Sequence, residues 1–462
     1  MEKIQADYLV VGSGAMGMAF TDVLMTETDA TVVIVDRHHQ PGGHWNDAYP
    51  YVRLHQPSAF YGVNSKHLGS DHVDTTGWNQ GLYELATNSE VVAYFDQVMQ
   101  QQFLASGRVQ YFPNCEYGEA GSFKSLVSGV EYQVKCDKIV NATYMNVTVP
   151  SIRPPAYEVE DGVDCVPPNQ LPRVQGQYSE YVVVGAGKTG MDACLFLLKN
   201  NVDPSAIRWI MPRDSWILDR ANIQPSSLEA STTASVFAQQ AKALAEAKDF
   251  TDAFDRAESS GALIRFDPNV WPTMYRCATV THLELDQLRR IEGVVRQGRV
   301  IKISTDEISL EQGVIPTNAR TLHIDCSADG LQTREPLPVF DGSQITLQSV
   351  RTCQQVFSAA FIAHVEAAYE DVEHKNELCS PVPHPDTDVD FLKTSLANSL
   401  NTARWAEDPE LSNWLAQSRL DGFSQVQPDG YELDEATLQQ LEEMQAVGRQ
   451  TIENIQRILA AL

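Results

Sequence analysis

Apolar residues come in short unbroken runs near the start of the chain, and each run stops at a glycine or an acid. Tyr8 to Val11 leads into Gly12, and Val32 to Val35 stops at Asp36. Runs of four with no polar interruption read as strands buried on both faces, the habit of a parallel sheet. Between them, from Gly17 onward, the pattern changes to that of a helix. The same order returns at Tyr181 to Val184, followed by glycines, a helix pattern and a further strand from Arg208 to Met211. Strand, glycine turn, helix and strand, written twice, predict an α/β protein with two Rossmann-like dinucleotide-binding domains.

The first loop is spaced Gly12-x-Gly14-x-x-Gly17. Gly12 permits the tight turn, Gly14 lets a pyrophosphate approach the backbone, and Gly17 lets helix and strand pack closely. The pyrophosphate would rest on the helix N-terminus, where free N–H groups and the dipole favour an anion. Asp36 lies 19 residues beyond Gly17, at the tip of the next strand, where an acid accepts hydrogen bonds from a ribose hydroxyl. Asp36 and its neighbour Arg37 are therefore candidate cofactor residues. The second loop repeats the spacing as Gly185-x-Gly187-x-x-Gly190, but its next strand ends on Pro212-Arg213-Asp214. Arg213 in place of the acid suits a 2′-phosphate, hence NADP; otherwise it is a solvated loop residue. Two such sites divide labour simply: one holds a flavin, and the other admits the reductant whose hydride must reach it. The N-terminal loop is the expected FAD site and the second the NADPH site.

Other segments are patterned differently. A helix is expected near 89–105 and a strand from Val109 to Phe112, and residues 225 to 300 depart from Rossmann patterning. There "ASVFAQQAKALAEAKDFTDAFDRAES" reads as helices, and "FDPNVWPTMYRCATVTHLELDQLRRI" as a loop and another helix. This insertion is either a lid over the substrate, with Phe266, Trp271 and Tyr275 as pocket lining, or helical cover for a sheet edge. "GVVRQGRVIKISTDEISLE" has hairpin alternation with Gln297-Gly298 at its turn. In the tail, "HPDTDVDF" lacks the glycine of a calcium loop and reads as a solvated turn. Leu438, Leu441, Met444, Val447, Ile452, Ile455 and Leu459 mark a final amphipathic helix, docked on this chain or on a partner.

Composition narrows the function. A length of 462 residues exceeds one ordinary core, and a formal charge of −27 argues against a nucleic-acid partner. The N-terminus reaches Gly12 too early for a signal segment, and no apolar run is long enough to span a membrane. Eight scattered cysteines without a CxxC pair suit reduced thiols in a cytosol. They offer no metal site and weigh against a disulfide reductase with closely spaced redox cysteines.

After the second strand comes "RHHQPGGHWNDAYPYVRLHQP", a loop rich in glycine, aromatics and histidine. With the two glycine loops, its Gly42-Gly43-His44-Trp45 makes the chain resemble the flavin-containing and Baeyer–Villiger monooxygenases. The stretch Tyr49-Pro50-Tyr51-Val52-Arg53-Leu54-His55 resembles their Tyr-Pro-Gly-x-Arg-x-Asp, with His55 where the acid stands. Lys138-Ile-Val-Asn-Ala-Thr143 and His323-Ile-Asp-Cys-Ser-Ala-Asp329-Gly330 resemble the two strand-turns where that family's chain crosses between domains. One motif departs: "PPAYEVEDGVDCVPPNQLPRVQGQYSE" lacks the family's Phe-x-Gly-x-x-x-His linker, which helps to position the nicotinamide.

The resemblance implies nested FAD and NADPH domains, with the FAD part in 1–150 and the NAD(P) part in 175–320, carrying the insertion at about 225–295. It implies a return to the FAD domain over 321–380 and a helical tail over 381–462. It makes the opening loop a wall of the isoalloxazine pocket, with Gly43, His44 and Trp45 beside the flavin, Asn64 near its N5, and Asp329 at the second crossing. Arg53 and His55 become candidates for holding a charged intermediate or the nicotinamide, or for pinning the loop through backbone hydrogen bonds. His55 could also shuttle a proton. The implied activity is a cytoplasmic, metal-free NADPH-dependent monooxygenase, acting with O2 on a small organic substrate through a flavin C4a-(hydro)peroxide. A halogenase of the same build, a reductase or dehydrogenase without oxygen transfer, and a degenerate binding subunit are the rivals. A homodimer is left open.

Overall fold

A computed structural model of the chain describes residues 1–174, 178–422 and 435–462. The chain opens with β1 (Tyr8–Val11), α1 (Ala15–Glu27) and β2 (Val32–Val35), followed by α2 (Asn88–Val98), β3 (Val109–Phe112) and β4 (Lys138–Asn141). It then builds β5 (Cys165–Val166), β6 (Glu180–Val184), α3 (Lys188–Lys199), β7 (Ile207–Ile210) and β8 (Ser215–Asp219). The insertion follows with α4 (Ser226–Ala245), α5 (Phe250–Ser259) and β9 (Met274–Val280), and the second sheet resumes at β10 (Gly293–Val295) and β11 (Thr321–Asp325). The chain ends with β12 (Phe340–Asp341), β13 (Gln344–Thr346), α6 (Gln355–Ala368), α7 (Asp388–Ala406) and α8 (Glu435–Leu459).

These strands form a six-stranded sheet in the order β12-β13-β4-β1-β2-β3 and a five-stranded sheet in the order β5-β11-β6-β7-β10. All neighbours are parallel except the short β12–β13 pair. Leu9 and Val10 are fully buried, as are Ile34 and Val183, which is why these strands show no alternation. The fold is α/β with one Rossmann-like sheet nested in the sequence of the other. Gly17 and Gly190 serve the packing: a Cβ there would lie 2.0 Å and 2.1 Å from the carbonyl oxygens of Gly12 and Gly185.

Several boundaries differ from the sequence expectation. Thr321–Asp325 does not open the return to the first domain; it pairs with β6 from Glu180↔Thr321 to Val184↔Asp325, and the return begins at Phe340. "MYRCATV" is strand rather than loop, because its partner Ser215–Asp219 is brought alongside from far away in sequence. Gln297-Gly298 does not turn a hairpin. Gly293–Val295 is claimed by the parallel sheet, while Val300–Ile303 pairs with Glu307–Leu310, which pairs in turn with Gly313–Pro316.

The final helix docks on this chain. Thr451 Oγ1 donates to the Ala241 carbonyl at 2.9 Å, Asn454 Nδ2 donates to that of Leu244 at 2.7 Å, and Ile455 is fully buried. Met444 is exposed, and the side chains of Leu438 and Leu441 lie outside the described residues. Of the "HPDTDVDF" acids, Asp390 caps the start of α7 and Asp386 is an ion-pair partner, so the segment is not simply solvated. Cys277 and Cys353, 76 residues apart, are joined in a disulfide. The expectation that every thiol is reduced is thereby corrected: the fold brings together cysteines whose spacing gives no hint of it. Among the described residues no helix is long and apolar enough to cross a membrane, and no group of metal-ligating side chains is assembled.

Candidate active site

Both glycine turns end where a helix begins with no side chain capping its first N–H groups. Gly14 caps α1 and Gly187 caps α3, and neither helix has a side-chain cap. Four N–H groups at a helix start need partners from outside the helix. A Cβ on Gly187 would meet nothing within 4 Å, so the space in front of that turn is open. Both turns face one cavity of about 2870 Å³, lined by Gly12, Gly14, Gly185 and Gly187. That volume is several times a typical small-molecule site of roughly 300–1,000 Å³. A dinucleotide fits each turn: open backbone N–H groups, no side chain in the way and room beyond.

The Gly-Gly loop packs on the first turn. Gly42 (φ +118°) and Gly43 (φ +55°) are left-handed, and a Cβ on Gly43 would lie 2.8 Å from the Cα of Gly14. Gly43 is thus required by backbone-on-backbone contact with Gly14, whatever lies in the cavity. Trp45 is buried and donates its indole N–H to the Tyr61 hydroxyl at 2.7 Å. His44 stacks on it, and burial pushes the imidazole down to about 4, so His44 is neutral at ordinary pH. All three line the cavity.

Asp36 stands at the tip of β2 with its carboxylate full. One oxygen accepts from the Ser13 backbone N–H at 2.5 Å and its hydroxyl at 2.8 Å, and the other from the His38 backbone N–H at 2.7 Å and ring Nδ1 at 3.0 Å. A carboxylate has about four acceptor positions, so a ribose hydroxyl must displace the Ser13 hydroxyl or the His38 ring, the two that can swing away. Burial works to raise the Asp36 pKa, but the bonds from His38 and Ser13 outweigh it and hold the carboxyl below its usual range. His38 also contacts Asp47 at 2.9 Å. The Asp36 bond, against the opposing effect of burial and aided by Asp47, lifts the imidazole to about 9. A raised folded-state pKa stabilises fully below the unfolded value near 6.5, and the stabilisation is lost as pH rises through about 9. The melting-temperature gap between wild type and His38→Asn should accordingly be widest at pH 6 and close by pH 10. A gap that is constant with pH would mean that the ring acts by packing and not by charge.

The Tyr49–His55 stretch proves to be the seam between domains. The Tyr51 ring stacks on Phe196 of α3 at 4.3 Å, and the Tyr49 hydroxyl donates to Asp192 of α3 at 2.7 Å. His55 lines the cavity, held by its backbone: its carbonyl accepts from Arg220 Nε at 2.9 Å and from the Thr279 hydroxyl. Burial, then the charges of Lys188 and Arg220, hold its imidazole far below the usual range. His55 is therefore a neutral hydrogen-bonding group at ordinary pH, not a resident cation.

Other candidates do not meet there. Arg53 is exposed, outside the cavity lining, and donates to the Leu85 carbonyl at 3.3 Å. Asn64 is also outside the lining; its side-chain oxygen accepts from the Ser418 hydroxyl at 3.0 Å. Arg213 does line the cavity beyond β7, but its guanidinium is forked onto Asp386 at 3.0 and 3.1 Å. Arg37 and Asp329 line the cavity at its exposed margin, near Glu116 and Arg276 respectively. Phe266 packs on Trp209 and Trp271 on Trp216, away from the lining, while Tyr275 belongs to it.

The sequence reading missed Lys188, Arg276, Arg351 and the Cys277–Cys353 pair, all of which line the cavity. Lys188 is the residue just inside the second glycine turn and is paired with Asp192. Its place in "GAGKTG" was the available signal. The others converge from separate elements and had none.

The fold and the two uncapped turns define a protein with two nested dinucleotide-binding domains. Residues 10–66 match the family model described as an NAD(P)-binding Rossmann-like domain. The chain is 55% identical over 428 residues to uncharacterized protein Rv2000 of Mycobacterium tuberculosis and equally to uncharacterized protein Mb2023 of Mycobacterium bovis, covering 92% of this chain and 79% of each relative. It belongs to the family of these mycobacterial proteins. Among solved structures, a flavin-containing monooxygenase from Stenotrophomonas maltophilia is 14% identical, with 82% of this chain and 100% of that one covered and a TM-score of 0.44. Cyclohexanone monooxygenase from Rhodococcus sp. Phi1 bound to NADP+ is 14% identical, with 80% and 85% covered and a TM-score of 0.47. Likenesses of this degree decide nothing about activity.

Proposed function

We propose that the chain is an FAD-dependent, NADPH-using oxidoreductase, with FAD on the Gly12–Gly17 turn and NADPH on the Gly185–Gly190 turn. The observation that carries the reading is that two uncapped glycine-turn helix starts open onto one cavity. Flavin, when bound, supplies the two-electron chemistry; the protein binds, orients and excludes water. Asp36 and His38 hold the ribose end of the first nucleotide, and Gly14 and the α1 N-terminus its pyrophosphate. Gly187, Lys188 and the α3 N-terminus hold the pyrophosphate of the second. Neutral His55, a residue of the cavity lining, can donate or accept a hydrogen bond where the reacting ends meet.

Oxygen transfer to a small organic substrate is the finer reading, supported by the Gly-Gly-x-Trp loop and the Tyr-Pro stretch beside it. A reductase without oxygen transfer is the second, favoured by the disulfide in the cavity wall. The test is the visible spectrum of the purified protein, anaerobic addition of NADPH or NADH, and readmission of air with a panel of sulfides, amines and ketones. Bleaching by NADPH and an oxygenated product support the first reading. Bleaching with peroxide as the sole oxygen product supports the second, and a protein that cannot be loaded with flavin refutes both.

Arg213 tests the nucleotide preference. Arg213→Ala should cut discrimination for NADPH over NADH at least tenfold, about 1.4 kcal/mol, because the guanidinium is the cation at the β7 tip that can leave Asp386 for a 2′-phosphate. An unchanged ratio would make Arg213 a staple to Asp386, and the 2′-phosphate would be read elsewhere.

A further inference from the structure

We infer that the Cys277–Cys353 cystine is a redox-active centre that takes two electrons from the reduced flavin. The inference rests on the reading that FAD and NADPH share the cavity. One NADPH and one proton are consumed: hydride reduces the flavin, an electron pair then passes to the S–S bond, the bond breaks, and two protons complete two thiols. The flavin returns to its oxidised form, and one NADP+ is released.

Placement supports this first. Both half-cystines are half-buried and line the cavity that the two glycine turns share, together with His55. Cys277 is joined to the His55 segment through Thr279, whose hydroxyl donates to the His55 carbonyl. The bond is also not part of a disulfide framework, since the other six cysteines are free. A single bridge facing a cofactor-sized cavity, in a chain whose other cysteines stay thiols, differs from the multiple staples of small secreted domains.

The backbone aims both sulfurs. β8 and β9 pair at Trp216↔Tyr275 and again at Leu218↔Thr279, so Arg276, Cys277 and Ala278 bulge opposite Ile217 alone. Bulges re-aim side chains beside active sites. Cys277 has φ +54° and Cys353 φ +59°, both in the left-handed region that non-glycine residues rarely occupy. Such backbone persists only where its surroundings impose it, and it clusters at functional sites.

The surroundings also hold without the S–S bond. On the Cys353 side, Thr352 N–H donates to Asn398 Oδ1 at 2.9 Å, Asn401 Nδ2 donates to the Val350 carbonyl at 2.9 Å, and Arg351 pairs with Asp421 at 2.8 Å. On the Cys277 side, β9 is fixed by its ladder to β8, and Arg276 donates to the Leu331 carbonyl at 2.6 Å. The two sulfurs therefore stay opposed after reduction and can close again. Cys353 lies just ahead of α6, whose N-terminus has no side-chain cap. A helix N-terminus favours thiolate, the form that leaves and attacks in disulfide chemistry.

The test is an anaerobic NADPH titration of the flavin-loaded protein, followed by denaturing alkylation and peptide mapping. The untreated protein should yield a peptide linked through 277 and 353. Full reduction should take two equivalents of NADPH per flavin, and both cysteines should then be alkylated. Cys353→Ser should take one equivalent. Bleaching with one equivalent while the linked peptide persists overturns the proposal and leaves the flavin reading intact. Alkylation of both cysteines before any NADPH is added also overturns it. Failure to bleach at all overturns the flavin reading, and the proposal with it.

Discussion

Gly14→Val should give a folded protein that cannot be loaded with flavin. Gly14 has extended backbone (φ −70°, ψ 178°), and a Cβ there would sit 3.6 Å from the Cα of Gly43, an ordinary contact. The fold therefore has room for a Cβ, but a bound pyrophosphate leaves none, because the branched side chain would stand between it and the α1 N–H groups. Losing that approach should cost roughly 3 kcal/mol, about two orders of magnitude in flavin Kd. The absorbance ratio of flavin to protein after purification and reconstitution reads it directly. Gly17→Ala is the informative contrast: its Cβ would lie 2.0 Å from the Gly12 carbonyl oxygen, so it should lower stability and soluble yield as well as binding. Flavin retained at wild-type affinity by Gly14→Val would remove FAD from this turn.

Gly187→Val is expected to do the opposite: flavin stays, and its reduction by NADPH slows about a hundredfold or more at fixed nucleotide concentration. Nothing lies within 4 Å of the position a Cβ would take, so the substitution fills only ligand space in front of α3. The measurement is the anaerobic bleaching rate against NADPH concentration. Loss of affinity appears as a shift of the half-saturating concentration, on the order of 3 kcal/mol or two decades. If Gly187→Val loses flavin while Gly14→Val keeps it, the two cofactors are assigned to the wrong turns. If neither changes anything, dinucleotide binding at both turns is refuted.

The elements that could be read from the residues are those whose cause is local. β1, β2 and β6 were visible because strands buried on both faces have no alternation to interrupt them, and the helices after Gly14 and Gly187 follow from the turn chemistry. The strand Met274–Val280 was not, since its residues suit a strand only beside Ser215–Asp219. Thr321–Asp325 was recognised as a strand but given to the wrong domain; membership of a sheet is a matter of partners, and its partner is Glu180–Val184. The site divides in the same way. Gly12, Gly14, Gly17, Asp36 and their counterparts in the second turn carry their geometry in their spacing. Arg53 and Asn64 shared the right neighbourhood in sequence, but their side chains leave the cavity.

By itself, then, the sequence determined that this protein has two glycine-turned strand–helix units and an acid at the first strand tip, because turn geometry and close packing act over a few residues. The tertiary structure alone decided that both turns open onto one cavity, that Asp36 is saturated by Ser13 and His38, and that Arg213 is held by Asp386. It also brought Cys277 to Cys353. Apart from the His38 contact, two residues along from Asp36, those outcomes depend on contacts between residues 23 to 173 positions apart, which no local pattern encodes.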